Sequence, residues 1–530
     1  MRRGRSLLAT AVAALGLAAF GTATASASSC PAVANPARVA GINQLHAWNA
    51  KLDGFGVRAT GSPNHVRYVD WLDRQLGSIP GVRVHSLRYR FNRWLAKSAS
   101  LSVTIGGHRQ AIPIAGPVPY SKPASAGGPN APLVHVPTGT DITAANSAGK
   151  IVVRDLAAGE LQNSLFDLVS WSLYDPHHTF DPNGIYKRDW LNPQPSEDMA
   201  AAGEAGAAGV LFVHELPRAQ FRGQYRPYDG IHWKVPALHL GVDEGTQLEQ
   251  AIDSGSAAAG RIAIAAKLTP HAPTRTLVAK LAGPGKRRFV VETHSDGVNA
   301  LWDNGSVPIL AIARYFAALP KHCRPGPMEF VLTTAHLYQR LDGRNHGAGD
   351  ALYARKLDRA YDHGTVAMVL ALEHLGAYQW DAVPRGGGKP GLTLKRTKLS
   401  EPSTTFVTES PLLVKTLERA VRRHKVERSL LLKGTALPDD SHVPPYCSFG
   451  GEGTPYMIHL IPTVAFIAAP WTLFNPGYGL EQIDFDLLRR QTLQFTDFLL
   501  AMRGAPQSKI AGRYTEYRRE RKAGKPVCPY

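Results

Sequence analysis

Cysteine is scarce: the chain has 530 residues and four cysteines, none of them spaced as Cys-x-x-Cys. That excludes a disulfide-dense scaffold, a zinc ribbon and a thioredoxin-type redox site. There is no Gly-x-Ser-x-Gly elbow to carry a serine nucleophile and no His-Glu-x-x-His helix to hold a metal. Charged residues are few, 19% against 44% hydrophobic, the balance of a folded chain rather than a disordered one. Glycine (50) and proline (39) are scattered without a period, so loops are many and collagen-like repeats are excluded. After the first twenty residues, no apolar run reaches the ~20 residues of a membrane-spanning helix. Lys and Arg exceed Asp and Glu, 60 to 42, for a net charge of +18. The excess is spread along the chain without a nucleic-acid motif, so it reads as a solvated basic surface and not as a nucleic-acid interface. The basic stretch 513–525 is a local exception that could touch an anionic polymer.

What is present begins with a leader. Arg2, Arg3 and Arg5 precede the apolar run 7–20, and Ala25-Ser26-Ala27 offers a small-residue cleavage site. Residues 1–27 therefore read as a removed signal peptide, with the arginine pair hinting at twin-arginine export, and the mature chain as secreted. An oxidising compartment permits disulfides, and four cysteines allow three connectivities. Because domain termini often lie close together, the expected pairs are Cys30 with Cys528 and Cys323 with Cys447. The length predicts two or three domains.

Helical spacing marks residues 40–86 around a turn-rich loop at 56–62, and alternation marks strands at 82–89 and 99–105. From about 275, strands at 289–293, 330–334, 366–372 and 463–468 alternate with helices at 307–319, 348–357, 412–424 and 484–502. This pattern predicts an α/β fold, a mostly parallel sheet sandwiched by helices. Functional groups then belong beyond the C-terminal ends of the strands. His294 and Asp296 stand at one such end, Asp303 opens the next helix, and Glu373 with His374 ends another strand. An imidazole and carboxylates at successive strand ends suit a zinc site, with a further carboxylate orienting the imidazole.

These residues carry a resemblance. Arg-x-Thr-Gly-Ser at 58–62, His-x-Asp at 294–296, Asp-Asn-Gly-Ser at 303–306, Glu-His-Leu-Gly at 373–376 and the strand 461–467 make the chain resemble zinc aminopeptidase family twenty-eight of the MH clan. That family includes bacterial leucyl-type aminopeptidases, glutamate carboxypeptidase and, without metals, the transferrin receptor. Residues 111–270 resemble a protease-associated domain inserted in it, on the strand at 149–154, the small-residue helix and strand at 200–213, and the strand and helix at 235–252. The implied division is a leader at 1–27, the first part of the peptidase-like domain at 28–110, the smaller inserted domain at 111–270, the zinc-exopeptidase domain at 271–505 and a basic tail at 506–530. The resemblance implies that His294, Asp303 and Glu373 hold one zinc, that Asp303 bridges to a second, and that Asp296 orients His294. It also marks departures. Where the family has two glutamates, a general base and a ligand, this chain has Ala335 and His336. Where it has a final Asp-His pair, this chain has Glu452 and Gly453. His336 can still bind zinc, and Glu452, His374 and His442 are candidate replacements, with Glu452 the candidate base. Restoring Ala335→Glu together with Gly453→His is expected to raise activity. The implied function is an exported zinc metallopeptidase-like hydrolase of aminopeptidase type, with a mononuclear or rearranged site and a peptide or small amide as substrate. The alternative is a catalytically silent binding protein on the same fold. A single-zinc acyl-transfer enzyme like the glutaminyl cyclases fits less well, because those retain a different subset of the ligands.

Overall fold

The computed structural model describes residues 30–227, 229, 231–337, 348–434 and 447–528. The expected leader and His442 lie outside these residues. At the centre, four parallel strands run side by side in the order Met328–Thr333, Arg288–His294, Val366–Leu372 and Thr463–Ala468. Their sequences are near-continuous apolar runs because helices cover both faces. One set of side chains, including Val290, Val331 and Val369, packs with Tyr353 and Leu357 of the helix Ala348–Asp362. The other set, including Phe289, Val291 and Leu370, packs with Ile309 and Phe316 of the helix Ser306–Ala317 and with Phe495 of the helix Phe485–Ala501. Each such side chain is worth ~1.5–3 kcal/mol on burial, so layer order is set mainly by this pattern.

The 82–89 and 99–105 strands are one element, Val82–Ile105, paired antiparallel with Ala257–Leu281 along its whole length. Register shifts near Arg93, Ser98 and Ile105 absorb the irregular middle that broke the alternation in sequence. The ribbon joins two sheet regions. The end of Ala257–Leu281 pairs with Met328–Thr333, whereas its start pairs with Ala131–His135. Beyond Ala131–His135 lie the parallel strands Ile151–Leu156, Gly209–His214 and Ala237–Leu240. The segment 111–270 does not keep to this second region, since Ser170–Tyr174 adds an antiparallel edge to Ser429–Leu432 at the far side of the central sheet.

The disulfides differ from the expected pairing. Cys30 joins Cys323, and Cys447 joins Cys528, with Cα atoms 5.1 and 5.6 Å apart. The reason is that the two chain ends dock on different parts of the domain. Near the N-terminus, the Ala34 amide donates to Asp497 of the Phe485–Ala501 helix. The C-terminal stretch is a pair of docked helices, Gln507–Ala511 and Tyr514–Lys522, rather than a loose basic tail. Arg518 is buried against Asp358 and Asp362, Arg521 pairs with Asp358, and Arg513 with Glu409. Much of the charge that marked this stretch as an anionic-polymer contact is therefore spent internally. Among the described residues, no helix is long and apolar enough to cross a membrane.

Candidate metal centre

The parallel register brings the C-terminal ends of Arg288–His294, Met328–Thr333 and Val366–Leu372 together, and His294, His336, Glu373 and His374 follow from them. Two of the connecting turns use left-handed backbone at residues other than glycine, Ala335 (φ 70°) and His374 (φ 58°).

His294 is fully buried. Its Nδ1 lies 2.7 Å from the Asp296 carbonyl. That acceptor requires the proton on Nδ1 and leaves Nε2 as a bare lone pair. Nε2 makes no hydrogen bond and stands 3.7 Å from Glu373 Oε2, which makes none either. Burial lowers the His294 pKa to about 3, which keeps the ring in its neutral, ligating form. Glu373 Oε1 accepts the Glu452 amide at 2.7 Å. That approach requires Gly451, where a Cβ would sit 2.1 Å from Glu373 Oε1. Burial first, and the neighbouring Glu452 second, push the Glu373 carboxyl up to about 8. His374 repeats the His294 pattern: Nδ1 faces the Ala468 carbonyl at 2.8 Å, and Nε2, without a hydrogen bond, lies 3.8 Å from Glu373 Oε2.

Behind this group lies a charged pair. His336 Nδ1 faces Glu452 Oε1 at 3.1 Å, and the His336 ring stacks on His294 with centroids 4.2 Å apart and planes 22° apart. Burial opposes both charges, but the hydrogen bond and charge of Glu452 hold His336 protonated, with its pKa up to about 10. Hydrogen bonds from Glu292 and His336 hold Glu452 down to about 2. Glu452 Oε2 also accepts from Thr333 Oγ1 at 3.1 Å. Burial drives the pKa values of Glu292 and Asp350 strongly the other way, reinforced by Glu452. Ligand-type atoms of His294, His336 and Glu373 lie within 4.8 Å of one another, as do those of His336, Asp350 and Glu452. Glu292 and Asp350 were not anticipated from sequence. The available signal for Glu292 was an acid directly after the apolar run 289–291 of the strand Arg288–His294.

The remaining expected residues are placed differently. Asp303 does not join the His294–Glu373 group: Arg58 Nε donates to its Oδ2 at 2.8 Å and Arg58 Nη2 to its Oδ1 at 2.5 Å, with both side chains fully buried. Arg58 is the more constrained partner, since it also bonds the carbonyls of Leu52, Gly56 and Asn299. Asp296 orients His294 through its backbone carbonyl, while its carboxylate is 4.0 Å from that ring. That carboxylate instead accepts from the Thr60 hydroxyl and from the amides of His336 and Leu337. Burial raises its pKa to about 6. The 58–62 motif thus acts as scaffolding for both aspartates. Ala335 is buried and offers no proton acceptor. At Gly453 a Cβ would come 2.3 Å from Ala465 Cβ, so the position has no room for the histidine expected to restore it.

No family model matches the chain, and no curated protein matches it. Solved structures do. A zinc aminopeptidase from Bacillus subtilis superposes with a TM-score of 0.58 at 15% identity, over 86% of this chain and 94% of that one. A peptidase precursor of family twenty-eight from Shewanella amazonensis gives a TM-score of 0.57 at 14% identity, over 87% and 92%. An aminopeptidase from an Aneurinibacillus strain gives 0.53 at 16%, over 87% and 94%. The chain has the zinc-aminopeptidase fold. Zinc suits the donors that this fold assembles here. Neutral imidazole nitrogen and carboxylate oxygen are ordinary zinc ligands, and buried atoms of both kinds converge without hydrogen-bond partners.

Proposed function

We propose that the chain is an exported zinc-dependent hydrolase of the aminopeptidase type, acting on a peptide or small amide. The observation that carries this reading is the meeting of His294 Nε2 and Glu373 Oε2, buried, lacking hydrogen bonds and 3.7 Å apart, at the ends of adjacent strands. These two residues would hold the metal. Zinc, when bound, supplies Lewis-acid polarisation of a carbonyl. The chain's own groups would handle protons. Glu452, held ionised, keeps His336 charged, and Ala335 offers no base on the turn before it. His336, held protonated against it, is the donor for a leaving amine. Asp303 in this reading fixes Arg58 and the loop before the Ser306–Ala317 helix, and Asp296 fixes the loop of His336. The two disulfides support export. The segment 111–270 is proposed as an inserted protease-associated module, for which the parallel strands Ala131–His135, Ile151–Leu156, Gly209–His214 and Ala237–Leu240 are the supporting observation.

The test is metal content and turnover of an amino-acid anilide by the mature protein and by His294→Ala. About one zinc per chain with measurable turnover, both lost in the variant, is the expected result. Zinc without turnover would favour a second reading, a binding protein on the peptidase fold, for which Ala335 is the supporting observation. Full zinc retention by His294→Ala would sink the assignment of the site.

A further inference from the structure

We infer that the segment 111–270 carries a zinc site of its own, formed by His135, Asp155 and Glu249 and separate from the candidate metal centre. Three elements of the second sheet region converge there. His135 ends the strand Ala131–His135, and the parallel register sets it beside Val153. Asp155 lies two residues further along that neighbouring strand, Ile151–Leu156, and so on the same face as Val153. The helix Val242–Asp253 packs against the strand of His135 and supplies Glu249 and, one turn on, Asp253. Ligand-type atoms of His135, Asp155 and Glu249 all lie within 4.8 Å of one another.

His135 Nε2 is 2.8 Å from Asp155 Oδ2, and its Nδ1 is 3.9 Å from Asp253 Oδ1. A carboxylate on the Nδ1 side of an imidazole is the usual way to orient a ring whose Nε2 binds a metal. An ion pair of His135 with Asp155 accounts for one carboxylate and leaves Glu249 unexplained. Glu249 Oε1 is closed off from solvent and has no hydrogen-bond partner among the described residues. Burial first, and the facing Asp155 carboxyl second, push the Glu249 pKa up to about 7. Two carboxyls pressed together disfavour each other's ionisation, and a divalent cation between them removes that cost. One imidazole with two carboxylates is a donor set for zinc, whereas calcium and magnesium take oxygen ligands. Donors about 2.0–2.2 Å from a tetrahedral zinc stand roughly 3.3–3.5 Å apart. His135 and Asp155 would therefore part slightly as Nε2 gives up its proton to solvent. Their side chains are 18% and 38% exposed, so solvent reaches the site and its ion exchanges, unlike one enclosed at His294 and Glu373.

The experiment titrates zinc into the full mature protein after dialysis against a weak chelator, by calorimetry in buffers of different ionisation enthalpy. The unmodified protein should take up one exchangeable equivalent of zinc and release a proton as it does so. His135→Gln and Glu249→Gln, both at partly exposed positions, should each lower that affinity by about 10-fold or more, since loss of even an orienting partner costs as much. Both variants should keep the zinc that dialysis leaves in place. His294→Ala should keep the exchangeable equivalent, so failure of the candidate metal centre and failure of this site are read separately. Absence of an exchangeable equivalent, or unchanged affinity in either glutamine variant, would overturn the inference and leave an ion pair of His135 with Asp155. Calcium competing at a concentration equal to that of zinc would overturn the choice of metal.

Discussion

Glu452 does two things with one residue. Its amide fixes Glu373 and its carboxylate holds the charge on His336. Glu452→Gln keeps the amide and removes the charge, so His336 should lose its proton at neutral pH. We expect anilide turnover to fall by about 10²–10⁴-fold, the usual worth of positioned acid–base help, with zinc content retained. Unchanged turnover would remove Glu452 from the mechanism. Gly453 makes the opposite point. The resemblance asks for histidine there, but the neighbouring Ala465 leaves no space. Gly453→His should lower stability by about 1–3 kcal/mol or more, the cost of overpacking, and should not raise activity, alone or with Ala335→Glu. Thermal melts alongside the anilide assay decide this.

At the scale of elements, the loop 58–62 is tied to the loops after the Arg288–His294 strand by Arg58 and Thr60. A lysine at 58 keeps the charge but cannot make the fork to Asp303. Arg58→Lys should therefore destabilise the fold by about 1.5–3 kcal/mol, the worth of a hydrogen bond to a charged group, read as a shift of the urea midpoint. The C-terminal helix Tyr514–Lys522 offers a pH test. Burial opposes ionisation of Asp358, but His459, Arg521 and Arg518 outweigh it and depress its pKa. A depressed carboxyl stabilises the fold above its unfolded value, about 3.9, and that contribution is lost as pH falls through the folded value. Stability of the unmodified protein should fall below about pH 4, and Asp358→Asn should flatten that acid limb. An identical acid limb in the two proteins would remove Asp358 from the account.

Over the whole molecule, two covalent links tie the termini to separate parts of the domain. Thiol titration of the denatured, unreduced protein should find no free cysteine. Replacing Cys447 and Cys528 together by alanine should cost about 2–5 kcal/mol and free the C-terminal helices to proteolysis. Resistance equal to that of the unmodified protein would show that the ion pairs of Arg518 hold this region without the disulfide.

The sequence by itself determined the layers of the central domain. The strands at 366–372 and 463–468 were legible to the residue, because a strand buried on both faces must be continuously apolar. The position of His294 and Glu373 at the ends of neighbouring strands was legible too, because each directly ends or follows an apolar strand run. Tertiary structure decided what depends on contacts between distant parts of the chain. Arg58 captures Asp303 across 245 positions, and no local pattern tells a carboxylate that meets a guanidinium from one that meets a metal. Four cysteines allow three pairings of equal local merit, and only the docking of each terminus selects one. His374 could be named from the sequence as a candidate, but only the left-handed turn that follows the strand shows it reaching the same oxygen as His294, because a side chain's direction at a strand end is set by backbone dihedrals that residue identity does not fix.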